Sequence, residues 1–291
     1  MSTFQAIVMG IVQGLTEFLP VSSSGHLALI KNIFGVETDG GILYDVLLHL
    51  ATLIAVFIVY YKDVIKLLAE FVGICVDAFS NVVRFFKNIS AINRVPYKPV
   101  VTNTYRKLAL MYVLSTIPAV ITGALLDDVL DAVGSNLLVV GICLLGTGGI
   151  LFISDTLPIG NKKHKEVNYG DALCVGIGQS FAVLPGLSRS GTTITACLLC
   201  RFDRKFAFRY SFIMSMPVIL GALILELFKL PETESVTSGG GCVLGMLAAG
   251  IVGFFCLKFM DNKIANNNFK PFWIYCLFAG AVSIIVFLVK L

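Results

Sequence analysis

Two apolar stretches, at about 4–33 and 169–200, are each interrupted in the middle by Pro, Gly and Ser, at Pro20 to Gly25 and at Pro185 to Gly191. A helix that crosses roughly 30 Å of hydrocarbon needs about 20 unbroken residues, so no half of either stretch reaches across alone. Broken backbone at membrane depth is tolerated only where surrounding protein or a polar cavity takes up the freed N–H and C=O groups. Both stretches are therefore expected to be re-entrant helical hairpins that return to the side from which they entered.

The rest of the chain supports a membrane setting. It is 57% hydrophobic and 14% charged, with mean hydropathy +0.88, outside the range of soluble domains. Unbroken apolar runs near 42–61, 105–126, 135–157, 206–229, 239–260 and 271–289 predict six spans. The fold class is thus an all-α polytopic membrane protein, with six transmembrane helices and two re-entrant hairpins. Residues 64–88 differ, because Lys66, Glu70, Asp77, Arg84 and Lys87 interrupt the apolar pattern at helical spacings, which predicts an amphipathic surface helix. Met1 to Gln5 carry no Lys or Arg and lead directly into the first apolar stretch, so no cleaved leader is expected. The eight Cys lie almost entirely in apolar stretches, where a thiol acts as a small hydrophobe, and no disulfide framework is expected.

An offset of 166 residues aligns Ala6, Gly10, Ile11, Gln13, Ser22, Ser24 and Gly25 with Ala172, Gly176, Ile177, Gln179, Ser188, Ser190 and Gly191. The single membrane domain therefore divides into a first repeat over 1–157 and a second over 169–291. Three spans separate the hairpins, an odd number, so they enter from opposite faces as inverted-topology repeats whose breaks meet near the midplane. Of the 22 Lys and Arg residues, eighteen fall on one face, and Lys31, Lys229 and Lys290 fall on the other beside Asp127, Asp128, Asp131, Glu232 and Glu234. The positive-inside rule makes the basic face cytoplasmic. Both termini and the mouth of the first hairpin are then extracytoplasmic.

Glu17 is the only formally charged residue between Phe4 and Leu29. A carboxylate there costs roughly 2.5–3.5 kcal/mol unless partnered, so it needs a partner or a task. A Glu17–Arg189 ion pair that locks the hairpins together is the plain alternative to catalysis, and the two are compatible. Gln13, four residues earlier, shares a helical face with Glu17. The two oxygens could share a hard divalent cation, Mg²⁺ or Ca²⁺, completed by substrate phosphates. Ser22, Ser23, Ser24 and Gly25 open the second half-helix. Ordinary capping accounts for at least one of these hydroxyls, and together with the helix N-terminus they also form an anion cradle. His26 follows as a candidate acid, base or nucleophile. In the second break Arg189 takes the place of Ser23, flanked by Ser188, Ser190 and Thr193, and its planar fork suits phosphate oxygens. Val183 stands where Glu17 would repeat, so acid and base groups belong to the first half and charge neutralisation to the second.

On two motifs the chain closely resembles the undecaprenyl-diphosphatase family of membrane phosphatases linked to bacitracin resistance. Q-G-L-T-E-F-L-P-V-S-S-S-G-H at 13–26 fits that family's Glu/Gln-x-x-x-Glu pattern with its Ser-rich Gly-His continuation, and P-G-L-S-R-S-G-T-T at 185–193 fits its second pattern. The resemblance implies hydrolysis of undecaprenyl diphosphate to undecaprenyl phosphate and inorganic phosphate in the bacterial cell membrane, recycling the lipid carrier of cell-wall synthesis. It also implies functional roles for Glu17, Ser23, His26, Ser188, Arg189 and Thr193, with Gln13 in the place of the first acidic residue. Ser23 activated by His26 is the preferred nucleophile, with direct attack by His26 or by a metal-bound water left open. The expected partners are undecaprenyl diphosphate and the bilayer, with a homodimer allowed and no nucleic acid, because the basic residues are spread over loops. A carrier of undecaprenyl phosphate is the main rival, since inverted repeats with broken helices are also transporter architecture. Glu17 and His26 argue against it, because binding an anion does not need them. The orientation predicts that alkaline phosphatase fused after Leu291 is active in whole cells, whereas a fluorescent protein fused there stays dark.

Overall fold

The computed structural model describes residues 1–35, 41–134, 136–229, 240–263 and 268–290. Glu232 and Glu234, placed above on the sparsely basic face, lie outside the described residues, as do the first residues of the spans assigned from 135 and 239. Among the described residues the chain forms ten helices: α1 (Thr3–Phe18), α2 (Ser23–Phe34), α3 (Gly41–Ile89), α4 (Thr104–Gly134), α5 (Leu137–Thr156), α6 (Tyr169–Phe181), α7 (Arg189–Leu199), α8 (Arg204–Lys229), α9 (Gly240–Lys263) and α10 (Lys270–Lys290). Six of these, α3, α4, α5, α8, α9 and α10, are long and apolar enough to cross a bilayer. The protein is an all-α polytopic membrane protein.

Both interrupted stretches form helix pairs. At 1.5 Å per residue, α1, α2, α6 and α7, of 16, 12, 13 and 11 residues, reach only about 17–24 Å. Each pair starts at a well-defined cap. Ser2 and Gln5 make a reciprocal capping box on α1, and Asn168 and Asp171 make one on α6.

The packing follows the repeat. Helix α1 lies along α9 in the second half, and α6 lies along α4, the corresponding helix of the first half. The aligned glycines explain how closely these pairs approach. A Cβ on Gly10 would collide with the Gly245 carbonyl, and one on Gly176 would come within 2.8 Å of the Ser115 carbonyl. Small residues at such crossings let backbones meet where lipid offers no hydrophobic drive between helices. The corresponding helices α5 and α10 also pack together, as do α3 and α8. A central core joins the halves, with Phe18 of α1 edge-on to Phe212 of α8 at 5.6 Å between centroids.

One element differs from the sequence reading. The amphipathic segment 64–88 is not a separate helix but the continuation of the first span, with one non-helical residue, Tyr60 (φ −109°, ψ 21°), between them. Nothing in the sequence breaks the helix there, since no Pro or Gly lies near Tyr60.

Gly10→Leu is expected to cost at least about 1–3 kcal/mol, because the colliding atom is backbone and the α1–α9 pair must part. Gly123→Ala, at a position with open space around it, should stay within about 0.5 kcal/mol. Thermal unfolding of the purified protein in detergent measures both.

Candidate active site where the two helix breaks meet

The two breaks are in direct contact. The Gly186 N–H donates to Ser24 Oγ (3.3 Å), Ser190 Oγ donates to the Leu19 carbonyl (3.4 Å), and a Cβ on Gly25 would sit 3.1 Å from the Gly186 Cα. Each turn has one residue in a sparsely populated conformation. Ser22 is held at φ 72°, ψ 99°, and Gly186 at φ 92°, where a Cβ would also strike the Val140 carbonyl. Thr147 of α5 fastens the second turn from outside: its hydroxyl donates to the Gly186 carbonyl (3.1 Å) and accepts the Ser188 N–H (2.9 Å).

Both half-helices that leave the breaks are capped by their own serines. Ser22 Oγ accepts the Gly25 N–H (3.3 Å), and Ser188 Oγ accepts the Gly191 N–H (3.1 Å). Beyond these caps, a polar cavity of ≈190 Å³ opens between the breaks, lined by Glu17, Ser22, Ser23 and Ser24 from the first and by Ser188, Arg189 and Ser190 from the second.

Glu17 organises this cavity. One carboxylate oxygen is ion-paired with Arg189 Nη2. The other accepts from Ser23 Oγ (2.7 Å) and Gln13 Nε2 (3.0 Å) and lies 3.5 Å from His49 Nε2. Arg189 is thereby only half used, since its Nη1 is buried without a partner, and so is Gln13 Oε1. An unpartnered buried guanidinium nitrogen beside a polar cavity is a costly group.

His49 was not among the residues singled out from the sequence. Its Nδ1 meets the Asp45 carbonyl one turn back (2.8 Å), which turns Nε2 toward Glu17. The available signal was a histidine inside a predicted span, one of three histidines in the chain.

His26 and Thr193 lie elsewhere. His26 points away from the cavity toward α10. Its Nδ1 is 2.6 Å from the Ser22 carbonyl, its Nε2 is 2.7 Å from the Tyr275 hydroxyl, and its ring stacks on Tyr275 at 5.5 Å. It does not touch Ser23, whose hydroxyl faces Glu17 instead. Thr193, fully buried, bonds Ser211 Oγ (2.6 Å) and the Arg189 carbonyl (2.8 Å), so it fastens α7 to α8 rather than lining the cavity.

Among the described residues no three His, Cys, Asp or Glu side chains converge as metal ligands do. The oxygen donors near a cation would be the Glu17 carboxylate, already accepting on both oxygens, the serine hydroxyls of the cavity, and the unpartnered Gln13 Oε1, which is buried behind Glu17 and does not line the cavity. Glu17 with Gln13 is too small a set to hold a cation alone, so a hard cation would need phosphate ligands of its own.

The family model described as bacitracin resistance protein BacA matches residues 6–282. An undecaprenyl-diphosphatase of Alkaliphilus metalliredigens (strain QYMF) is 37% identical over 290 residues, 98% of either chain. One of Methanosphaera stadtmanae is 35% identical over 281 residues, 97% of this chain and 96% of the relative. One of Desulforudis audaxviator (strain MP104C) is 34% identical over 291 residues, the full length of both.

His49→Ala removes an imidazole that stands 3.5 Å from the Glu17 carboxylate, a contact worth on the order of 1 kcal/mol. Turnover of a long-chain prenyl diphosphate should fall about fivefold or more, and His164→Ala, outside the cavity, should leave it unchanged.

Proposed function

The chain belongs to the bacitracin resistance protein BacA family, and from that membership we propose that it hydrolyses undecaprenyl diphosphate to undecaprenyl phosphate and inorganic phosphate. The activity recycles the lipid carrier of cell-wall synthesis and would confer bacitracin resistance. The observation that supports the reading is Arg189, a partly buried guanidinium that lines a cavity bounded by two helix N-termini and is held by Glu17 through Nη2, while its buried Nη1 has no partner.

A terminal phosphoryl group entering the cavity would meet the Arg189 guanidinium, the serine hydroxyls of both breaks and the positive ends of α2 and α7. These groups neutralise charge that grows on the phosphoryl oxygens in the transition state. The same anion competes with Glu17 for the guanidinium. As Arg189 turns toward phosphate, the Glu17 carboxylate is left with Ser23, Gln13 and His49, and becomes a better proton acceptor.

Ser23 Oγ, already donating to Glu17, is the nucleophile in this reading. Its oxygen bonds to the terminal phosphorus, its proton passes to Glu17, and the bond from that phosphorus to the bridging oxygen breaks. Undecaprenyl phosphate leaves, and water then attacks the phosphoserine to release phosphate. His26, engaged by Ser22 and Tyr275, acts by holding the Ser22 turn in its strained shape. A Mg²⁺ or Ca²⁺ ion accompanying the diphosphate would be held by Gln13 and Glu17, and would offset charge on the two phosphates.

The helix pairs α1/α2 and α6/α7 are read as re-entrant hairpins from opposite faces, with the cavity and both termini on the extracytoplasmic side. That orientation suits a diphosphate exposed at the outer leaflet with its prenyl tail in lipid, and a homodimer is compatible with it.

Phosphate release by the purified protein from a long-chain prenyl diphosphate tests the reading. Arg189→Ala should lower turnover about 10²–10³-fold, the loss seen when one preorganised transition-state donor is removed. Arg189→Lys, which keeps the charge without the fork, should recover only part of it. A chelator should reduce turnover if a cation accompanies the diphosphate. Binding of the lipid without phosphate release by the parent protein would instead establish a carrier.

A further inference from the structure

The 166-residue offset pairs residues that line the cavity from both halves. Ser22, Ser23 and Ser24 correspond to Ser188, Arg189 and Ser190, and every member of these pairs is polar. Ahead of the breaks, Thr16 and Glu17 correspond to Ala182 and Val183, and all four also line the cavity. Here the halves differ: the first keeps a hydroxyl and a carboxylate, and the second has only apolar side chains. Leu187 extends this apolar side, whereas its counterpart Val21 is buried away from the cavity.

The backbone of the apolar side is committed as well. The N–H groups of Ala182, Val183 and Leu184 donate to the carbonyls of Gln179, Ser180 and Phe181 (3.1, 3.5 and 3.3 Å), and that of Leu187 donates to the Leu184 carbonyl (3.1 Å). The Gly186 N–H goes to Ser24 Oγ (3.3 Å), the Ser188 N–H goes to Thr147 Oγ1 (2.9 Å), and Pro185 has none. From 182 to 188 no backbone donor is left for a phosphate oxygen.

The cavity thus has two unlike walls. Glu17, Ser23 and Arg189 gather charge and hydrogen bonds at one, and Ala182, Val183 and Leu187 offer neither at the other. A ligand with a charged end and a hydrocarbon end fits in one direction, because the reverse would strip water from phosphate oxygens without replacing it. Phe181, next to this wall, is 62% exposed, so a chain lying on the wall can continue past it into the bilayer.

We propose that Ala182, Val183 and Leu187 determine specificity by seating the first isoprene unit of a prenyl diphosphate, which aims its terminal phosphoryl group at Ser23 and Arg189. Diphosphates whose organic part is polar or absent gain nothing from this wall. The inference rests on the reading that the cavity takes a prenyl diphosphate, and adds where the prenyl end lies.

Calorimetric titration of the full-length protein in one detergent tests this apart from hydrolysis. The probes are farnesyl methylenediphosphonate and methylenediphosphonate, whose bridging carbon cannot be cleaved. Val183→Asn with Leu187→Asn should weaken the farnesyl probe at least about fivefold and the bare probe less than twofold. Val183→Thr, which keeps the shape and adds a hydroxyl, should move the same ratio in the same direction by about two- to threefold, and it carries the test if the double variant does not fold. Equal weakening of both probes would overturn the proposal, as would an unchanged farnesyl affinity in these variants. So would a parent protein that binds α,β-methylene adenosine diphosphate as tightly as the farnesyl probe. The expected ratios in a protein that releases no phosphate from farnesyl diphosphate would support the wall and overturn hydrolysis instead.

Discussion

The structure turns on the pair formed by the buried Glu17 and the partly buried Arg189. Each charge sits at a helix break inside an apolar chain, and neither would be tolerated there alone. Removing one partner of such a pair typically costs about 3–5 kcal/mol, because the other is left buried and uncompensated. The pair joins a residue of the first interrupted stretch to one 172 positions later, so the meeting of the two breaks and the pairing of the two charges are one event. Its incompleteness is what the proposed function draws on. Arg189 keeps one nitrogen free, and Glu17 collects Ser23, Gln13 and His49 around its other oxygen. An anion can therefore enter without the cavity having to unfold.

The surroundings hold that geometry rigidly. Thr147 ties the second turn to α5, Tyr275 takes up the His26 imidazole, and Ser211 fastens Thr193 to α8. Interhelical hydrogen bonds of this kind are each modest, about 0.6 kcal/mol on average in membrane proteins. Acting together they keep Ser22 at a positive φ that a non-glycine residue rarely adopts. The close crossings at Gly10 and Gly176 bring each short helix against the opposite half of the molecule. The breaks thus face one another instead of lipid.

Much of this was legible in the residues. The two interruptions stood out because Pro, Gly and Ser cluster inside otherwise apolar stretches, and the six long spans because their apolar runs are long enough to cross. Glu17, Ser23 and Arg189 could be singled out because charges and hydroxyl clusters are rare there. His26 and Thr193 were harder to place. Both lie on short helices a few residues from the breaks, and whether such a side chain points into the cavity or at a neighbouring helix depends on which helix packs beside it. His49 was missed for the complementary reason. It comes from a separate span, and only the packing of α3 beside α1 brings it to Glu17. The continuation of α3 was recognised as amphipathic but assigned as a separate helix, because the bend at Tyr60 leaves no mark in residue types.

What the sequence by itself determined is the class of molecule and the two breaks at which its polar groups gather. The cost of burying charge and unpaired backbone in hydrocarbon leaves few alternatives for a chain with this pattern of apolar runs and breaks. What only the tertiary structure decided is which polar groups share the cavity and which are spent on holding it together. Neighbours on one helix follow from 3.6-residue periodicity, as Gln13 and Glu17 do. Partners from different helices, such as His49 with Glu17 or His26 with Tyr275, are set by how those helices pack, and no local spacing encodes that.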